Sequence, residues 1–422
     1  MEMAERTAMA EAPPASGVYS AERLRLDFPA LAQRVGGAPL VYLDNAATTQ
    51  KPDVVIDAVA RAYRDGIANV NRGAHTLAAR ASAAYESARY RAQRLIGAER
   101  AEEVIFTSGC TAAINLAAYA WGDEQVGAGD EIIATALEHH SNLLPWQRLC
   151  ERRGARLQVI PLSREGEIDL ERLSATLSAR TRLVAVTHVS NVTGGESPLG
   201  EISALCQRVG ACLLVDGAQA VARLPVDVRA LECDFYAFSG HKAYGPSGVG
   251  VLYARRERLR QMAPFLTGGG MVEQVQAERS TYASAPARFE AGTPNLEGAI
   301  GLDRALEYLA AIGLDTVRAH DRALTRHARA ALERVPGVRL VGAPARPIGV
   351  VSFVFGDVHA HDVSTILDQA GVAVRAGHHC ASLALQHFGV EATLRASFAV
   401  YNTPADVDAL VTALGKVREV FG

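Results

Sequence analysis

The side chains that carry a primary amine are few. Among 43 basic residues the only lysines are Lys51, Lys242 and Lys416, so chemistry that needs an amine nucleophile has three candidates. Lys51 precedes Pro52 in a turn, and Lys416 lies in a polar terminal helix where solvation explains it. Lys242 differs. It follows the apolar run Phe235–Phe238 within Ser239-Gly240-His241-Lys242 and is succeeded by Gly245-Pro246-Ser247-Gly248. An amine at the end of a buried strand, in a glycine-rich turn, is poorly placed to serve solubility. The P-loop spacing that would mark a phosphate lysine is absent. A partly desolvated amine is what Schiff-base chemistry requires.

Asp216 ends the apolar run Cys212-Leu213-Leu214-Val215 and is followed by Gly217-Ala218-Gln219. Alone, such an acid more often caps a turn. With Lys242 on the next strand it supplies the second half of a pyridoxal phosphate site, a carboxylate that keeps the ring nitrogen protonated so that the ring accepts electrons. Phosphate needs donors. Thr107-Ser108-Gly109-Cys110-Thr111 joins a strand to a helix and aims backbone N–H groups outward, and Ser239 and His241 can add side-chain donors. His139 and His140 follow another strand; no carboxylate partner supports a metal there, and a flat imidazole packed on a ring, able to relay protons, is the better use.

The last constellation is Arg375-Ala376-Gly377-His378-His379-Cys380, followed by Arg395-Ala396-Ser397-Phe398. Cys380 follows a glycine turn beside two histidines, neighbours of the kind that favour a thiolate. Three nearly consecutive side chains rarely converge on one ion, so a metal is not the reading. Cys150, Cys206, Cys212 and Cys233 fall in apolar helices or strands and Cys110 at the turn, where burial as small hydrophobes suffices. Arg395 can grip a carboxylate in a bidentate fork, or serve a structural ion pair.

These groups need a scaffold. Candidate strands are Val104–Thr107, Glu131–Thr135, Arg156–Ile160, Leu183–Thr187, Cys212–Asp216, Asp234–Phe238 and Gly250–Tyr253, with helical stretches Thr111–Trp121, Leu143–Arg153, Leu170–Ser178 and Glu201–Val209 between them. Continuous apolar strands separated by helices predict an α/β fold with a mostly parallel sheet covered on both faces, and ligands at the carboxyl ends of its strands. The expected organisation is a disordered tail over 1–19, a helix over Ala21–Val35 within 20–38, a large cofactor-binding domain over 39–305, and a smaller α+β domain over 306–422 carrying Cys380 and Arg395.

The chain has 422 residues, 49% hydrophobic and 21% charged, with net charge −3. Its length allows a large core without disulfides or metals. The charge carries no nucleic-acid footprint, and no apolar run is long enough to span a bilayer. Glu2, Glu5 and Glu11 with no apolar stretch exclude a secretory signal, so six reduced cysteines and a cytoplasmic location are expected.

Taken in order, the motifs resemble one family, the group II (SUF-type) cysteine desulfurases, relatives of selenocysteine lyases in the class V aminotransferase group of fold-type I pyridoxal phosphate enzymes. The resemblance runs from about Leu24 to the C-terminus. It includes Leu43-Asp44-Asn45-Ala46-Ala47-Thr48, Asn71-Arg72-Gly73-Ala74-His75, Glu138-His139-His140-Ser141-Asn142, Val189-Ser190-Asn191-Val192-Thr193-Gly194, Asp216-Gly217-Ala218-Gln219, Phe238-Ser239-Gly240-His241-Lys242, Glu290-Ala291-Gly292-Thr293-Pro294-Asn295 and the two segments holding Cys380 and Arg395. It implies a seven-stranded sheet and a homodimer. It implies that Lys242 bonds the cofactor and moves protons, Asp216 pairs with the pyridine nitrogen, and Gln219 binds the ring hydroxyl. Asn191 orients ring and substrate, and His139 stacks on the ring. Thr111, Cys110, Ser239 and His241 cradle phosphate, with Thr293 added from the second subunit. Arg395 grips the substrate carboxylate, and Cys380 takes sulfur from L-cysteine, or selenium from L-selenocysteine, as alanine is released. An acceptor of SufE or SufU type in iron–sulfur assembly is implied; His361 matches a position that exchanges onto zinc in some relatives. Ala112 departs from the usual glutamate, and the segment after Cys380 lacks a common proline. A class V aminotransferase or epimerase would share Lys242 and Asp216 but have no use for Cys380. A catalytically silent scaffold would bind no cofactor.

Overall fold

A computed structural model describes residues 19–70 and 73–421. Asn71, Arg72 and all of the expected tail except Tyr19 lie outside the described residues. Tyr19 itself is tied down: its hydroxyl donates to the Val400 carbonyl at 2.7 Å.

Seven runs become the strands of one sheet: β1 Val104–Thr107, β2 Glu131–Thr135, β3 Arg156–Ile160, β4 Thr181–Thr187, β5 Cys212–Asp216, β6 Phe235–Ser239 and β7 Gly250–Ala254, mostly apolar except β3 at the edge, where Arg156 and Gln158 intervene. Their spatial order is β1-β7-β6-β5-β4-β2-β3. All pairs are parallel except those of β7, which runs antiparallel to both β1 and β6. The middle strands are buried on both faces, which is why they read as unbroken hydrophobic runs. Each fully buried Leu, Val or Phe adds about 1.5–3 kcal/mol of hydrophobic stabilisation.

The expected helix over Ala21–Val35 is a correction. The helix stops at Arg25; Pro29–Ala32 form one 3₁₀ turn and Arg34–Val35 a short strand against Ala38–Pro39. Pro29 is the reason. It excludes helical geometry from the residue before it, and Phe28 sits at φ −112°, ψ 89°. Thr111–Trp121 is likewise not one helix: α-helical winding covers Cys110–Leu116 and then widens to a π-helical turn over Ala117–Gly122.

A second, antiparallel sheet follows, made of β8 Val338–Val341, β9 Val350–Phe355, β10 Arg375–Gly377 and β11 Thr393–Ser397, in the order β8-β9-β11-β10. Leu296–Ile312 is one continuous helix across the expected boundary at 305, and its buried residues belong to the cluster under the large sheet. The sheets are laced together by Val41–Lys51. Val41–Tyr42 pairs with Val372–Ala373, and the Asn45 side chain donates to the Ser397 carbonyl at 2.6 Å. Arg223 makes a second tie. Its guanidinium is buried against Asp321 and donates to the Phe398 carbonyl at 2.7 Å. Gly349 leaves room for it, since a Cβ there would meet the guanidinium at 2.0 Å. No helix among the described residues is long and apolar enough to cross a membrane.

Candidate active site

The carboxyl ends of the parallel strands open onto a cavity of about 470 Å³. Lys242, Asp216, Gln219, Asn191, His139, Thr111, Cys110, Ser239, His241, Cys380 and Arg395 all line it. Residues scattered over almost the whole chain are thus brought to one place. Thr293 is not: it is exposed and lines no part of this cavity. Its segment is nevertheless fixed, because Glu290 is buried against Arg89 at 2.7 Å and accepts the Phe106 N–H of β1 at 2.7 Å.

The strand register explains the phosphate-sized end. Gly250 of β7 pairs with Thr107 on one side and Ser239 on the other. A Cβ at Gly250 would lie 2.5 Å from the Gly109 backbone and 2.7 Å from the Phe238 carbonyl, so only glycine lets the turn and β6 approach this closely. The Ser239 hydroxyl then accepts the Cys110 N–H at 2.8 Å, leaving its own proton free for an anion. Thr111 shares a hydrogen bond with Ser141 at 2.7 Å. His241 is half-buried; burial first, then the Lys242 and Lys51 ammoniums, lower it to about 4, so it is a neutral ring with one N–H to donate.

Asp216 accepts the Ala218 N–H at 2.9 Å and the Cys110 thiol at 3.3 Å, both on Oδ1, which leaves Oδ2 for another donor. Burial pushes the Cys110 thiol far up, so it stays protonated. The side-chain amide of Gln219 donates to the Ala46 carbonyl at 2.7 Å. His139 accepts the Ser141 N–H on Nδ1 at 3.1 Å, which fixes its ring. Burial, then Lys242, lowers it to about 3. It is thus a neutral, flat ring on the cavity wall. Glu138, missed in the sequence, sits behind it and takes donors from Thr135, Asn142 and Thr187; burial nonetheless holds its carboxyl at about 8.

Lys242 ends the 3₁₀ turn Gly240–Lys242. Burial lowers its pKa, opposed by the nearby Asp216 carboxylate. Cys380 lines the same cavity. Five cysteines are buried and Cys380 is exposed. The backbone at His379 and Cys380 is left-handed, with φ of +52° and +53°. Two such residues in a row cost about 1–3 kcal/mol each and persist only where the surroundings hold them. Here the His140 N–H donates to the Cys380 carbonyl at 2.7 Å and Asn191 Nδ2 to the His379 carbonyl at 2.8 Å. The two flanking histidines are bonded elsewhere than to the thiol. His378 Nδ1 accepts the Cys380 backbone N–H at 3.1 Å. His379 packs inward on Thr393 at 2.8 Å, and burial with Arg395 beside it lowers it to about 2, so it is uncharged.

Arg395, on β11, is buried. It donates to the Asn191 carbonyl at 3.1 Å and reaches Asp44 at 3.5 Å, while its Nε has no partner. Burial brings this guanidinium down to about 10. An under-satisfied buried cation at a cavity wall is suited to a carboxylate.

This donor set fits pyridoxal phosphate: an amine and a carboxylate on neighbouring strands, a flat neutral imidazole, and a hydroxyl-rich turn at one end. The aminotransferase class-V family description matches residues 41–410, and the chain belongs to that family. Cysteine desulfurases of Salmonella agona and of an Escherichia coli O7:K1 strain are each 50% identical to it over 405 residues, covering 96% of this chain and 100% of the relative. Among solved structures, the cysteine desulfurase CsdA from Escherichia coli, as its S-sulfonic acid, superposes with a TM-score of 0.89 at 40% identity, covering 96% of this chain and 100% of its own. The apo cysteine desulfurase of Thermococcus onnurineus NA1 gives 0.90 at 37%, covering 95% and 99%.

Proposed function

We propose that the protein is a pyridoxal phosphate-dependent cysteine desulfurase, which converts L-cysteine to L-alanine and leaves the sulfur on Cys380 as a persulfide. The observation that carries this reading is the meeting of Lys242 and Cys380 in one cavity, the amine enclosed and the thiol exposed. A class V enzyme without sulfur chemistry has no use for the thiol.

Bound there, the cofactor would supply an electron sink for charge developing on the substrate carbon. Lys242 would hold it covalently, Asp216 would face the pyridine nitrogen through Oδ2, Gln219 the ring hydroxyl and His139 the ring face. Ser239, Thr111, His241 and the backbone of Cys110 would take the phosphate. Arg395 grips the substrate carboxylate, and Asn191 holds both that arginine and the Cys380 segment. Lys242, depressed in basicity, takes the proton from the substrate Cα and returns one to the product. Cys380 attacks the substrate sulfur: the C–S bond breaks, an S–S bond forms, and hydrogen replaces sulfur on carbon. L-Selenocysteine would engage the same groups.

The reading extends to a homodimer, in which Thr293 of one subunit completes the phosphate site of the other; its exposure outside its own cavity favours this. It extends also to a SufE- or SufU-type sulfur acceptor, to iron–sulfur assembly and to a cytoplasmic location. The test is incubation with pyridoxal phosphate and L-cysteine. Alanine must appear, and Cys380 must gain the mass of one sulfur atom. Alanine and sulfide formation at an unchanged rate in Cys380→Ser would exclude the mechanism.

A further inference from the structure

Arginine is the default cation of this chain, yet position 51 is a lysine. The structure places it beside the catalytic turn. Its ammonium is half-buried and donates to the Thr48 hydroxyl at 3.3 Å, to the His241 carbonyl at 3.1 Å and to the Thr49 carbonyl. Three acceptors for three N–H donors leave none spare. The Thr49 N–H at 3.1 Å and the hydroxyls of Thr48 and Thr49 at 3.0 and 3.2 Å crowd the same His241 carbonyl and share its two lone pairs with Lys51. That carbonyl belongs to the peptide linking His241 to Lys242. Its direction sets the plane of that peptide and with it the Cα–Cβ vector of Lys242. The same segment holds the far side of the turn, because Thr49 accepts the N–H of Tyr244, a residue with φ of +62°.

We propose that Lys51 is a positioning residue for the reaction: a compact ammonium that locks the His241–Lys242 peptide and thereby aims the Lys242 amine at the cofactor. A planar guanidinium cannot converge on three acceptors clustered around one point, which accounts for a lysine in an arginine-rich chain. Burial lowers Lys51 to about 8, in keeping with an ammonium removed from water. This inference rests on the assignment of Lys242 to pyridoxal phosphate.

The test compares wild type with Lys51→Met, Lys51→Gln and Lys51→Arg in the full-length protein. The readouts are the dissociation constant for pyridoxal phosphate, the visible absorption band of the bound cofactor with its pH dependence, and the melting curve without cofactor. Loss of a charge-assisted hydrogen bond predicts about tenfold or greater weakening of cofactor binding in Lys51→Met, a displaced pH response of the band, and a melting curve close to wild type. Lys51→Gln, which keeps a neutral donor, should fall between, and Lys51→Arg should not restore binding. If Lys51→Met fails to fold, Lys51→Gln decides. A folded Met or Gln variant with wild-type affinity and band overturns the proposal, as does full function in Lys51→Arg. A wild-type protein that shows no visible band with the cofactor overturns the Lys242 assignment itself, and this inference falls with it.

Discussion

The two nucleophiles proposed for this cavity are held in opposite ways. Lys242 leaves the end of a strand buried on both faces, in a turn where the Gly240 N–H and the Gly240 and His241 carbonyls are bonded, and burial discourages its charge. Cys380 stands at an exposed tip, in an unfavourable backbone conformation kept by bonds donated by His140 and Asn191 and by one accepted by His378. The contrast suits the role proposed for each. A group that bonds a small molecule benefits from enclosure, which removes water and tunes basicity. A sulfur that is to be handed on must remain reachable.

The sharpest way to break this comparison is to remove each nucleophile in turn. Lys242→Ala should lower alanine formation at least about thousandfold and abolish the cofactor's visible band. Cys380→Ser should lower sulfur transfer by a similar factor, about thousandfold, with the band intact. If both variants lost the band, the two groups would not be separable as described. Next in size is Arg395→Lys. Replacing a buried fork by a point charge should raise KM for L-cysteine roughly 10- to 100-fold, while cofactor affinity measured by fluorescence stays within about twofold.

Acid tests the enclosed side. His139, His188 and His241 are held by burial at about 3, 4 and 4, and His379 at about 2. Unfolded, each takes a proton near about 6.5. The unfolded chain therefore binds more protons as pH falls through that value, so stability is fullest above it and declines below. Each such histidine adds a slope of up to about 1.4 kcal/mol per pH unit. Melting temperatures measured from neutrality downward should fall steadily, and His188→Gln, which removes one buried ring outside the set assigned to cofactor and substrate, should flatten the slope. The smallest effect belongs to the tip. His378→Ala removes the acceptor of the Cys380 N–H, worth about 1 kcal/mol, and should slow persulfide formation several-fold in single-turnover assays without changing the cofactor band.

Much of this arrangement is legible in the sequence, for a definite reason. A strand covered on both faces must be apolar throughout, so the inner runs stand out and the polar ends of two of them, Asp216 and Ser239, mark the ligand edge. Lys242 is legible because so few lysines compete with it. What the sequence hides depends on direction or distance. The antiparallel course of β7, which draws Gly109 and Ser239 together, has no local signature. The orientation of His378 and His379 reverses the role that adjacency suggests, since one ring turns to the backbone and the other to the interior. Lys51, read as a turn residue, acquires its partners from a segment nearly two hundred positions away. Glu138 sits beside a histidine that draws attention, and only its enclosure sets it apart. Pro29 was a usable sign that the first helix would end early.

The buried pair of Arg223 and Asp321 has a consequence for how the molecule comes apart. It joins the turn after β5 to the helix Leu314–Leu332, and the same guanidinium also holds the carbonyl just beyond β11, the strand of Arg395. Separating the halves would strand a charge in an apolar interior, at about 3–5 kcal/mol. Heating should therefore melt both sheets in a single cooperative step rather than release the smaller one first.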